Sequence, residues 1–111
     1  MPVKGSWAEE VATRFYRKRG YKLIGRNIRG FGGEIDIALY KDDTVYLVEV
    51  KQRKYSLEDA LFSVNRSKKQ RILRAWYQKG GSYSNYPVIL HVCAVIGTPD
   101  NYDIQIFEEE L

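Results

Sequence analysis

The chain has 111 residues, 44% of them hydrophobic, and carries 18 lysines and arginines against 14 aspartates and glutamates for a net charge of +4. That length predicts one domain, residues 1–111, with an ordinary core. No apolar run is long enough to span a membrane, residues 1–20 lack the apolar stretch of a secretory signal, and the single Cys93 has no internal disulfide partner and no zinc-type spacing. These features predict a cytoplasmic protein with no membrane partner.

Ser6 to Arg19 reads as a helix. Ser6 stands as N-cap with Glu9 three residues on, a capping box, and Ala8, Val11, Ala12 and Phe15 recur at helical spacing. On that helix Glu9 lies about 100° from Ala8, beside the apolar stripe, and Glu10 lies about 200° away, toward solvent. Gly20 is placed to end the helix. A first strand follows over 21–29, then strands over 33–40 and 44–51 separated by the turn Lys41-Asp42-Asp43-Thr44. The third strand is apolar on both faces, which places it centrally in a sheet. Residues 56–79 are helical in character: a short helix Leu57–Phe62, then a longer one capped by Asn65, with Ile72, Leu73, Trp76 and Tyr77 as its buried stripe. Val88 to Ile96 reads as a strand buried on both faces, and a last strand spans 102–107. The order is α-β-β-β-α-β-β. A helix between strands three and four fits a crossover joining parallel neighbours, giving an α/β fold with a mixed β-sheet flanked by helices.

Charged residues interrupt the second and third strands. Side chains alternate along a strand, so Glu34 and Asp36 take one face and Ile35 and Ile37 the other, while Glu49 and Lys51 share a face opposite Val48 and Val50. If the two strands pair about the 41–44 turn, opposed residue numbers sum to about 85. Asp36 then faces Glu49, and Glu34 faces Lys51. Carboxylates that close repel unless one is protonated or a cation lies between them. Mg²⁺ takes oxygen ligands and keeps waters and substrate phosphate oxygens, so the pattern predicts a hard-metal site with a lysine beside it. The plainer alternative, a structural ion-pair cluster, is disfavoured because such clusters rarely add stability when buried.

Basic residues cluster at 14–29, 51–54 and 66–74, and removing Glu108, Glu109 and Glu110 from the 14 acidic residues leaves 11 against 18 basic ones. This distribution predicts a polyanionic partner. A satisfied core histidine is the expected role of His91. Trp7 and Trp76 are expected to fill the core. Tyr83 and Tyr86 form a loop that can stack on bases or simply connect two elements.

The ordered set Gly5-Ser6-Trp7-Ala8-Glu9-Glu10-Val11-Ala12, Gly20-Tyr21, Arg26-Asn27 with Arg29, Gly33-Glu34-Ile35-Asp36, Val48-Glu49-Val50-Lys51-Gln52-Arg53 and Ser63-Val64-Asn65-Arg66-Ser67-Lys68 resembles the bacterial YraN family. More broadly it resembles the restriction-endonuclease-like PD-(D/E)xK superfamily, to which archaeal Holliday-junction resolvases belong. Where that family typically carries R-F-D, this chain reads Ile89-Leu90-His91.

The resemblance implies a restriction-endonuclease-like fold and a metal-dependent endonuclease that hydrolyses phosphodiester bonds in DNA, with branched or structured DNA as substrate. It implies Asp36 and Glu49 as ligands of Mg²⁺ or Mn²⁺, and Lys51, Glu9 and Glu34 as catalytic residues. Arg29, Arg53, Lys68, Lys69 and Arg71 are candidate nucleic-acid contacts; for Lys68 a solvated basic face is an equal alternative. RNA as substrate stays open. Cutting both strands of a duplex predicts a homodimer. The rival expectation is a nucleic-acid-binding module that keeps the fold and does not cleave.

Overall fold

The computed structural model describes residues 6–55 and 65–110. Within them lie a helix α1 (Trp7–Lys18), strands β1 (Lys22–Gly30), β2 (Gly33–Lys41) and β3 (Thr44–Arg53), a helix α2 (Arg66–Lys79), a short 3-10 helix (Gly81–Asn85), and strands β4 (Val88–Thr98) and β5 (Asn101–Glu109). The short helix expected over Leu57–Phe62 falls outside the described residues.

The strands form one five-stranded sheet in the order β1-β2-β3-β4-β5. All neighbours are antiparallel except β3 and β4, which are parallel and joined through α2. The expected mixed α/β architecture is therefore present, with β3 at the centre. Val45 and Leu47 pack under α2 with Ile72, Ala75, Trp76 and Leu90, while Tyr46 and Val48 face α1 with Ala8, Val11, Ala12, Tyr16, Cys93 and Val95. One helix layer thus covers each face of the sheet, and alternation along β3 and β4 supplies both cores.

Local signals set the element ends. The Ser6 hydroxyl accepts the Glu9 N–H at 3.4 Å. At the other end of α1, Gly20 has φ 88°, the Tyr21 N–H reaches Tyr16 O at 3.2 Å and the Gly20 N–H reaches Arg17 O at 3.1 Å. These two bonds are a Schellman C-cap, which needs a left-handed residue at Gly20. The Asn65 side chain accepts the Lys68 N–H at 2.9 Å and caps α2.

Two expectations fail here. Tyr77 is 61% exposed instead of buried. It lies about 140° round the helix from Ile72, whereas Trp76 lies within about 40°, so an apolar side chain at that phase faces away from the sheet. Second, Ile35 and Ile37 do not share a core: Ile37 packs beneath α1, but Ile35 packs with Ile72 and Trp76 beneath α2. The β2–β3 ladder follows the expected register from Lys41↔Thr44 to Ile37↔Val48. Beyond it the Asp36 carboxylate accepts the Val50 N–H at 2.8 Å. A side chain there takes the place of a main-chain acceptor, and simple alternation stops at that point.

Tyr83 and Tyr86 lie on and just beyond the 3-10 helix, with their rings 5.4 and 5.1 Å from that of Tyr40. They pack as a cluster, with Tyr86 still 37% exposed. His91 is 7% exposed and hydrogen-bonded to the Tyr16 hydroxyl at 2.9 Å, the satisfied core histidine expected. Trp76 is fully buried; Trp7 is partly buried against the α1 core, its ring 5.8 Å from Tyr102. Burial pushes the Cys93 thiol up to about 12, so it behaves as an apolar side chain.

Candidate active site

The β1–β2 hairpin leans onto α2, and glycine makes that approach possible. A Cβ at Gly33 would fall within the main chain of Arg71, and one at Gly30 would lie 3.3 Å from Ala75 Cα. The close approach encloses a pocket of about 250 Å³ between the start of β2, the end of β3 and the first turns of α2. Its walls are Gly32, Gly33, Glu34, Asp36, Glu49, Lys68, Arg71 and Ile72.

Asp36 and Glu49 are 7% and 6% exposed. Buried carboxylates need hydrogen bonds or counter-charges, and both have them. Asp36 Oδ2 takes the Val50 N–H. Glu49 Oε1 lies 2.5 Å from Lys68 Nζ and 3.2 Å from Lys51 Nζ, so one oxygen serves two ammonium groups. The two lysines respond differently. For Lys51, burial outweighs the attraction of Glu49 and, with Lys68 beside it, lowers the pKa. For Lys68, burial also pulls downward, but the hydrogen bond and attraction to Glu49 prevail and raise it. Lys68 is thus the fixed cation, and Lys51 is the one drawn toward its neutral form.

The remaining candidates divide. Glu34 lines the same pocket and pairs with Arg29, its partner across the β1–β2 register, at 3.7 Å. Arg71 is in the wall. Glu9 is buried as its helical phase predicts and Glu10 is exposed, but Glu9 is not part of this wall; it lies 3.6 Å from Arg26 in the α1 layer. Lys69 pairs with Glu109 of β5 at 3.8 Å, and Arg53 donates to the Gln52 carbonyl at 2.7 Å, so neither adds to the pocket.

Lys68 is the residue that sequence reasoning undervalued. It is one helical turn before Ile72 and about 40° from it, on the side of α2 that meets the sheet. A lysine at a core-facing phase in the first turn was the available signal.

The donor set suits a hard divalent cation. Asp36 and Glu49 offer carboxylate oxygens, and Glu49 already holds a cation, the Lys68 ammonium. Among the described residues no group of three or more acidic, histidine or cysteine side chains is close enough to hold an ion by itself. Two protein carboxylates with the rest of the shell left to water and phosphate is the coordination Mg²⁺ favours.

The model of the uncharacterised protein family UPF0102 matches residues 8–85. A UPF0102 protein of Thermus thermophilus is 36% identical over 110 residues, covering 98% of this chain and 97% of that relative. A UPF0102 protein of Clostridium acetobutylicum is 35% identical over 111 residues, covering 94% and 89%. One from Pseudomonas putida is 35% identical over 98 residues, covering 85% and 79%.

Proposed function

We propose that this chain, which belongs to the uncharacterised protein family UPF0102, is a metal-dependent DNA endonuclease with a restriction-endonuclease-like fold of the PD-(D/E)xK superfamily. One observation carries the reading: Glu34, Asp36 and Glu49 converge with Lys68 and Arg71 in a single pocket, and Lys51 is ion-paired to the same Glu49. Carboxylates and amines gathered around a gap of this size fit a cation and the phosphate it activates.

In this reading Asp36 and Glu49 hold Mg²⁺ or Mn²⁺, which supplies Lewis acidity and a more acidic bound water. Lys51 orients the attacking water and meets the charge that grows on the phosphate. Lys68 and Arg71 bind the non-bridging phosphate oxygens; an Arg guanidinium is suited to paired contacts of that kind. Glu34 restrains Arg29 at the rim. The substrate is branched or structured DNA, two copies of the chain cut opposing strands, and the setting is cytoplasmic.

The test is cleavage of linear, flapped and four-way-junction DNA with Mg²⁺ or Mn²⁺. Asp36→Asn and Lys51→Ala are each expected to slow cutting by roughly 100-fold or more. Cleavage that survives both substitutions overturns the assignment. A second reading, a binding module that does not cut, is favoured by one contact: the Lys68 ammonium sits on Glu49 where the metal would have to lie. Tight DNA binding with no cleavage in either metal would select it.

A further inference from the structure

The β1–β2 hairpin turns through two residues, Phe31 and Gly32, between the paired Gly30 and Gly33. Their φ values are 46° and 74°. Two-residue turns with positive φ at both positions favour Asn-Gly or Asp-Gly, and a bulky aromatic in the left-handed region is an outlier. Phe31 is also 65% exposed. Neither backbone conformation nor burial accounts for phenylalanine at this tip, and a strained residue of this kind points to use by a ligand.

A second exposed ring stands beside it. Arg74, Tyr77 and Gln78 lie at helical spacing on the outer side of α2, and with Phe31 they line an apolar cavity of about 370 Å³. The adjoining cavity contains Phe31 and Gln78 together with Arg29, Gly32, Gly33, Glu34 and Lys79, and it shares Gly32, Gly33 and Glu34 with the acidic pocket. The three cavities thus lie side by side, from Glu49 past the hairpin tip to two exposed aromatic faces, each sharing wall residues with the next. Arg29, Arg71, Arg74 and Lys79 along them are all exposed. Flat apolar faces edged by cations suit an aromatic ring carried on an anionic backbone, and the apolar area is too small to hold a second copy of the chain.

We propose that Phe31 and Tyr77 form a stacking site for an unpaired nucleobase of the DNA strand whose phosphate enters the Asp36–Glu49 pocket. The inference rests on the nuclease reading and narrows its substrate: the bound strand is unpaired next to the scissile phosphate. Base–aromatic stacking is tolerant of sequence, so the site reads the absence of pairing and not base identity.

Binding is measured in EDTA, where no cutting occurs, with fluorescein-labelled flapped DNA and a fully paired duplex of the same sequence. The flap carries 2-aminopurine at its first unpaired position. Wild-type protein is expected to quench the 2-aminopurine and to bind the flap about tenfold more tightly than the duplex. In the Phe31→Ala, Tyr77→Ala double variant the quench disappears and the preference is lost through weaker flap binding alone, a change of roughly tenfold. Equal weakening of both ligands, no change in either, or no quench with wild-type protein overturns the stacking site. The wild-type quench needs no variant, so poor folding of the double variant leaves the test intact. If the preference for unpaired DNA persists but no substrate is cut in Mg²⁺ or Mn²⁺, the nuclease reading falls and the stacking site stands. Cutting with no preference for unpaired bases has the opposite meaning.

Discussion

His91 lies between the rings of Tyr16 and Tyr46, at 5.9 and 5.1 Å. Burial raises the Tyr16 pKa, and the neutral hydroxyl shares a 2.9 Å hydrogen bond with His91 Nδ1. Burial lowers the His91 pKa below its ordinary 6.5, partly countered by Glu108 across the β4–β5 register. The folded chain therefore binds this proton less readily than the unfolded chain, and stability rises with pH across the interval. The contribution is complete above about pH 6.5 and is lost as pH falls toward the depressed folded value. The denaturant midpoint is expected to drop between about pH 7.5 and 5.5, and His91→Phe should flatten that drop. An equal drop in the variant would assign it to other groups. At this scale the sequence was partly legible. Carboxylates on otherwise apolar strands stood out because their cost demands a purpose. Phe31 did not, since a positive φ leaves no periodicity to read.

The pocket depends on how closely the β1–β2 hairpin meets α2. Gly33 has no room for a side chain because the main chain of Arg71 occupies that space. Gly33→Ala must push the hairpin away from the helix, at about 1–3 kcal/mol by analogy with overpacked cores, and urea unfolding would read the loss. Gly32→Ala is the control: nothing lies within 4 Å of a Cβ there, so its cost comes from φ 74° alone. Comparable losses in the two would remove the close approach as the cause. Element order, the β2–β3 register and both helix caps follow from turn residues and periodicity, which act over a few residues. The rotation at Asp36 does not, because it arises when a carboxylate takes a backbone N–H from the neighbouring strand. Tyr77 departs from expectation for a related reason: its apolar character suggests burial, but its phase on the helix decides its exposure.

At the scale of the molecule, the order β1-β2-β3-β4-β5 means that every strand among the described residues pairs with its sequence neighbour. Among the described strands only the parallel β3–β4 seam needs a long connection, the segment from Arg53 to Val88 that contains α2. Closing a long loop costs chain entropy before any contact repays it, whereas hairpins close quickly. The β1–β2–β3 meander and the β4–β5 hairpin are thus expected to acquire amide protection first and the seam last, in pulse-labelled hydrogen exchange during refolding. Simultaneous protection of Glu49 and Ala38 amides would contradict that order. Glu49 belongs to the seam strand and Lys68 to the crossover helix, so their meeting is a late event in the life of each newly made chain. Until then Glu49 has Lys51 of its own strand and Glu34 has Arg29 of the neighbouring one, but the Lys68 ammonium is missing, and a polypeptide interrupted before β4 emerges would hold one wall of the acidic pocket with the helix that completes it not yet fixed in place.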